Sequence, residues 1–280
     1  MSLFDGYEVH QQIRSMIKIY PDFVRLYKYA EAIDVRRFDY GEYNRQPLKN
    51  SKRLLSREEQ EANEKFSLRR AKTRLTDITI CNAFDMFATF TFDPKKVDRQ
   101  DPDKCKAKMA NWLHNQRDRH GLFKYIIVPE FHADKRSIHF HALFSGYKGS
   151  LTDKGRRNKK SGKVLYNIDE YKSGRIHSVE MIDDLEKVSS YVSKYITKSM
   201  PMFRNKQRYW CTSKLKRPLK IINPLMNKSD EAKFTSVYKD SGMEMFDMRG
   251  ELPKWDIWRL TGYSYPGEIP RDDDLTVSER

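Results

Sequence analysis

Ile138-His139-Phe140-His141-Ala142 is the stretch whose reading decides the fold of this chain. In an extended strand, successive side chains point to opposite faces. His139 and His141 therefore share one face, while Ile138, Phe140 and Ala142 share the other. The apolar face needs a core beneath it, and two neighbouring imidazoles suit one divalent ion. Ser137 to Phe144 is expected as a strand, and Phe123 to Val128 as the one before it. The short polar link Ala133-Asp-Lys-Arg136 joins them as a hairpin. Glu130 ends the earlier strand and, in an antiparallel hairpin, lies alongside the histidines as the expected oxygen ligand. His132, two residues further on, shares that face if the strand continues. It is read as a neighbour of the ligands or a DNA contact, with coordination as the alternative.

Outward from the hairpin, Phe87-Ala-Thr-Phe-Thr-Phe92 is a β-rich run stopped by Asp93-Pro94. Residues 102–119 read as a helix with Met109, Trp112 and Leu113 among its apolar positions and Gly121 beyond its end. Ser56-Arg-Glu-Glu59 reads as a capping box opening a long charged helix to about Asn82, either a solvated cover on a sheet or a DNA contact. Arg175 to Val179 is a further strand, Ile182 to Lys198 a helix, and Arg208-Tyr-Trp210 a last strand. Tyr209 and Trp210 either belong to that strand or stack on bases. The expected fold is α+β: a mainly antiparallel, five-stranded sheet with flanking helices, the histidine strand central and the last helix packed near it. Residues 67–225 are expected to form this domain. Residues 1–66 are expected as a basic, partly helical N-terminal extension, and residues 226–280 as a net acidic C-terminal one.

The chain of 280 residues has a formal charge of +15 and is 12% aromatic, which favours a polyanionic partner, nucleic acid over a membrane surface. Residues 226–280 carry eight Lys/Arg and twelve Asp/Glu, so the first 225 residues hold a net +19. Lys154 to Lys163 places six positive charges in ten residues without an acid, as a flexible loop or hairpin tip. Three cysteines with no Cys-x-x-Cys spacing fit a reducing cytoplasm rather than a disulfide framework. No apolar run suits a signal peptide or a membrane span, so a soluble cytoplasmic protein is expected.

Tyr191-Val-Ser-Lys-Tyr-Ile-Thr-Lys198 carries two tyrosines four apart, each followed three residues later by a lysine. On a helix, residues four apart share a face. The bland reading is an amphipathic helix whose tyrosines extend the core and whose lysines snorkel. The tandem Tyr-x-x-Lys favours a second reading. A phenol has a pKa of about 10 and needs help to attack at neutral pH, and a lysine one turn away can stabilise the phenolate.

Taken in order, the Phe87–Phe92 strand, Glu130 with His139-x-His141, and Tyr-x-x-Lys resemble the HUH endonucleases, the rolling-circle replication initiators. The tandem tyrosines are similar to those of the gene A replication proteins of small single-stranded DNA phages and their plasmid relatives. The resemblance spans about residues 67–217. It implies that Glu130, His139 and His141 hold Mg²⁺ or Mn²⁺. It makes Tyr191 the first nucleophile with Lys194 as its partner, and Tyr195 the second, with Lys198 beside it. Leu is common in the family at positions held here by Ala88 and Phe90.

The implied activity is nicking and rejoining of single-stranded origin DNA through a 5′-phosphotyrosine. Gly155 to Val164 lacks the spacing of a phosphate-binding loop, so no helicase motor is expected and a host helicase or supercoiling would supply unpaired DNA. A transposase or relaxase of the same superfamily, or a basic nucleic-acid-binding protein with a vestigial metal site, are the alternatives. Relaxases often carry the tyrosine before the histidine motif, and here it follows.

Overall fold

The computed structural model describes residues 12–34, 56–197, 199–201, 208–250 and 254–261. In chain order, strands β1 (Gln12–Ile19) and β2 (Phe23–Asp34) precede helix α1 (Arg57–Ile80), strand β3 (Met86–Phe92) and helix α2 (Pro102–His120). Strands β4 (Lys124–Phe131), β5 (Ile138–Ser145), β6 (Leu151–Arg157), β7 (Val164–Ile168) and β8 (Gly174–Met181) come next. Helix α3 (Leu185–Ser193) and strands β9 (Trp210–Cys211) and β10 (Leu219–Ile222) follow. The described chain closes with α4 (Lys228–Glu231), β11 (Thr235–Lys239), β12 (Met243–Arg249) and α5 (Lys254–Thr261). No helix among the described residues is long and apolar enough to cross a membrane.

Residues 55–216 form one compact unit, and the described residues on either side of it form a second. The first unit is built on a five-stranded sheet in the order β8-β3-β5-β4-β9. Every pairing in it is antiparallel, and the histidine strand β5 lies at its centre, as expected. Both faces of this sheet are covered, which is why β5 is buried along almost its whole length.

On one face, Phe90, Phe92, Ile138, Phe140 and Phe144 pack with Trp112, Met109 and Leu113 of α2. Alternation turns Phe87, Leu143, Ile126 and Val128 to the other face, against Leu75 and Ile78 of α1 and Val192 of α3. Helix α2 begins where Asp101 Oδ1 accepts from the Lys104 amide at 3.0 Å, with Pro102 in its first turn. It ends at Gly121, whose φ of 84° suits a residue without a Cβ. Trp210 belongs to an edge strand: it pairs with Ile127, meets Phe140 edge-on at 5.3 Å and carries the Lys106 ammonium over its ring.

Helix α3 is shorter than the Ile182–Lys198 span its periodicity predicts. Asp184 caps it, accepting from the Lys187 amide at 2.9 Å, while the Ile182 amide is already bonded to Asp85 C=O. At the other end, the amides of Lys194, Tyr195 and Ile196 each bond three residues back, tightening the last turn. Tyr195 thus lies just past the helix, and Lys198 lies outside the described residues.

The second unit is an antiparallel sheet in the order β10-β1-β2-β12-β11. Ile17, Val24, Leu26, Ile221 and Leu260 form its core, and Arg25 holds Asp247 through two bonds of 2.7 Å. The sequences before residue 35 and after 216, expected as separate extensions, therefore pair with one another.

Phe90 is fully buried and its ring meets Trp112, Phe144 and Tyr171. Phe90→Ala is expected to destabilise the protein by about 3–5 kcal/mol in denaturant unfolding. Leu122→Ala, at a side chain 82% exposed, should stay within about 0.5 kcal/mol. Equal losses at the two positions would contradict the assignment of the core.

Candidate active site

The register of the β4–β5 pair sets Glu130 directly opposite His139. Glu130 Oε2 lies 2.6 Å from His139 Nε2 and 2.7 Å from His141 Nε2, and the two nitrogens are 3.1 Å apart. These three side chains form a cluster able to hold a metal ion. A divalent ion bound octahedrally at about 2.1 Å places adjacent ligand atoms about 3 Å apart. The spacing and the donor types, two imidazoles and one carboxylate, therefore fit such an ion.

Burial sets the charge states. His141 is 5% exposed, and burial lowers its pKa to about 4, so its imidazole is neutral and its lone pair available at pH 7. Burial works to raise the Glu130 carboxyl, but the hydrogen bonds and charges of His139 and His141 outweigh it and hold the group at about 2. The site thus offers an ionised carboxylate beside a neutral imidazole.

Thr89 is a supporting residue that the sequence reading missed. Its Oγ1 lies 3.2 Å from His141 Nδ1, across the β3–β5 pair in which the two residues are partners. A hydroxyl can accept from Nδ1–H, which leaves the Nε2 lone pair for a ligand role and fixes the ring's orientation. The signal was the Thr-x-Thr alternation inside Phe87–Phe92, which puts Thr89 on the histidine face. Phe87, from the same face, stacks on His141 at a centroid distance of 5.7 Å and meets Tyr191 edge-on at 5.6 Å. His132 packs edge-on against His139 at 4.3 Å, outside the three-residue cluster. Burial, then the His139 and Arg99 charges, push its pKa down.

Both tyrosines reach this face, in different environments. The Tyr195 ring lies flat on His141, 3.7 Å between centroids and 11° from parallel. Burial, then its hydrogen bond to Tyr191, raise the Tyr195 phenol well above the usual value. Tyr191 meets the Tyr195 ring edge-on at 5.3 Å and is 46% exposed. The α3 periodicity thus brings the two phenols together, although Tyr195 sits past the helix end. Lys194, the helix C-cap, is exposed, and its ammonium makes no hydrogen bond or ion pair among the described residues. It does not touch either phenol in this arrangement.

A central His-x-His strand, a carboxylate across its hairpin and a tyrosine-bearing helix on the same face define an α+β domain of the Rep-like nuclease type. Residues 85–200, from β3 through both tyrosines, match the family model of the ORF2-type replication-associated proteins. This stretch is a Rep-like replication-initiator domain, and the protein is replication-associated. No curated protein and no solved structure matches the chain.

Two outcomes follow from the site's electrostatics. The folded His141 stays neutral down to about pH 4, whereas the unfolded side chain takes up a proton near its ordinary 6.5. The unfolded state binds more protons in that window, so metal-free stability should fall as pH drops from about 6.5 to about 4. The slope of unfolding free energy against pH should flatten in His141→Gln, and an unchanged slope would contradict the burial argument. Thr89→Val should weaken Mn²⁺ binding about tenfold or more by calorimetry; undiminished affinity would remove Thr89 from the site.

Proposed function

We propose that this protein nicks and rejoins single-stranded origin DNA through a 5′-phosphotyrosine intermediate, starting and ending rolling-circle replication. The observation that carries this reading is the convergence of Glu130, His139 and His141 with Tyr191 and Tyr195 on one face of the sheet. Mg²⁺ or Mn²⁺ held by Glu130, His139 and His141 would polarise an oxygen of the scissile phosphate and fix its position.

Tyr191 is the first nucleophile. Its exposure admits an incoming strand, while Tyr195 keeps its proton more firmly and lies packed on His141. Tyr191 Oη attacks phosphorus in line and forms the tyrosyl P–O bond. The P–O3′ bond breaks, and the leaving 3′-oxygen takes up a proton to become a hydroxyl that can prime synthesis. Rejoining reverses these bonds: a 3′-hydroxyl attacks the phosphotyrosine and the phenol regains its proton. No nucleotide hydrolysis is needed, because one phosphodiester replaces another. Lys194, and Lys198 beyond the helix, serve as cations that swing onto the phosphate or the phenolate once DNA is bound. Tyr195 cuts the regenerated origin while Tyr191 still carries the first strand. A host helicase or supercoiling supplies the unpaired DNA, in the cytoplasm of a host that carries the phage or plasmid replicon.

Incubation with Mn²⁺ and labelled single-stranded oligonucleotides should yield an adduct that survives denaturation. Tyr191→Phe should abolish the first-strand adduct, with a rate loss on the order of 10³-fold or more. His139→Ala with His141→Ala should remove metal-dependent cleavage. If Tyr195→Phe alone abolishes all cleavage while Tyr191→Phe has no effect, the order of the nucleophiles is reversed.

A further inference from the structure

Strands β6 and β7 form a ribbon of their own, outside the five-stranded sheet. The Lys154–Lys163 run, expected as a flexible loop or hairpin tip, is the end of this ribbon, and it is extensively bonded. Between the pairs Asp153↔Tyr166 and Arg157↔Val164, Lys154, Gly155 and Arg156 stand opposite Leu165 alone. The Gly155 amide in this bulge donates to Asp153 Oδ1 at 2.8 Å. At the tip, the Asn158 amide donates to Lys163 C=O and the Gly162 amide to Asn158 C=O, both at 2.8 Å. Asn158 Oδ1 also accepts from the amides of Lys160 and Ser161.

The tip is then tied to the end of β8. Asn158 Nδ2 donates to Glu180 Oε1 at 2.6 Å, and Ser161 Oγ donates to Glu180 Oε2 at 2.9 Å. Lys163 Nζ reaches Met181 C=O at 3.0 Å and Asp183 Oδ1 at 2.6 Å. The next residue, Asp184, caps α3. The ribbon is therefore fastened to the stretch that leads directly into the tyrosine helix. Arg156, Arg157, Lys159 and Lys160 remain exposed, and none is ion-paired among the described residues.

Both oxygens of Glu180 are thus used on neutral donors of the tip, and no nearby acid neutralises the four outward cations. Four like charges within five residues repel one another, since their separations fall inside a Debye length of about 8 Å. Holding them in place lowers the ordering cost of binding a polyanion.

We propose that the β6–β7 ribbon is a preformed arm that binds the sugar-phosphate backbone of single-stranded DNA, with Glu180 as the residue that positions it. The choice of single-stranded DNA as the polyanion rests on the nuclease reading above; the fastened cationic arm itself does not.

The test is binding of fluorescent oligo-dT to the full-length chain without added metal, across a salt series. Each phosphate contact on a single strand contributes about 0.7 to the slope of log affinity against log salt. Replacing Arg156, Arg157, Lys159 and Lys160 together with Ala should lower that slope by about 2 and the affinity by at least about tenfold. An unchanged slope overturns the arm as a binding surface.

Glu180→Ala is the sharper variant. Removing a carboxylate should by simple electrostatics strengthen binding to DNA, whereas loss of the fastening should weaken it by about threefold or more. Asn158→Ala with Ser161→Ala breaks the same bonds from the ribbon side without changing charge, and should weaken binding to a similar degree. Binding as tight as the parent's in both variants overturns the role of Glu180. Because no cleavage is read, loss of the nuclease reading alone would leave these results unchanged. Equal binding of a neutral-backbone oligonucleotide would exclude phosphate as the partner.

Discussion

Pairing of β4 with β5 in the register Glu130↔His139 is the constraint on which the rest of the site depends. Side chains on a strand alternate with a period of two, so a slip of one residue would exchange the faces of β5. It would drive His139 and His141 into the aromatic layer around Phe90 and Trp112 and turn Phe140 toward the helices α1 and α3. Burial of Ile138, Phe140, Ala142 and Phe144 against α2 forbids that exchange. The apolar core thus sets the position of three polar atoms that lie within 3.1 Å of one another. The β3–β5 pairing extends the same control to Thr89, and through Phe87 to the tyrosines.

The histidine face is polar yet largely shielded, and this combination gives its groups different roles. Burial keeps His141 neutral while two imidazole contacts keep Glu130 ionised, so an anion and a lone-pair donor coexist without mutual neutralisation. The same shielding separates the phenols: Tyr195, flat on His141, holds its proton, and Tyr191 stands open to solvent. Two chemically identical side chains four residues apart acquire unequal reactivity from their surroundings alone.

Much of this domain was legible in the sequence because its signals are local. The His-x-His alternation, the polar link at 133–136 and the β-rich run at 87–92 each act over a few residues, and together they give the central strand, its hairpin and Glu130 as the opposing oxygen. The extent of α3 was not legible. Apolar periodicity continues through Ile182 and Ile196, but the Ile182 amide is taken by Asp85, and the last amides bond three residues back. The sheet made by β1, β2, β10, β11 and β12 was hidden for a different reason. Its pairings join Met16 to Ile222 and Tyr27 to Met245, separations across which periodicity carries no information. The 154–163 run suggested flexibility because its fastening to Glu180 and Asp183 is likewise a tertiary contact.

The central claim is that a metal-assisted tyrosine on α3 becomes linked to DNA, and the most direct measurement is the identity of the linked residue. The adduct formed with Mn²⁺ on single-stranded DNA would be trimmed with nuclease, digested with protease and sequenced by mass spectrometry. The expected result is a 5′-phosphonucleotide on Tyr191, absent when the metal is chelated. A linkage to a residue outside the Tyr191–Tyr195 turn, or an adduct that forms equally well in chelator, would contradict it.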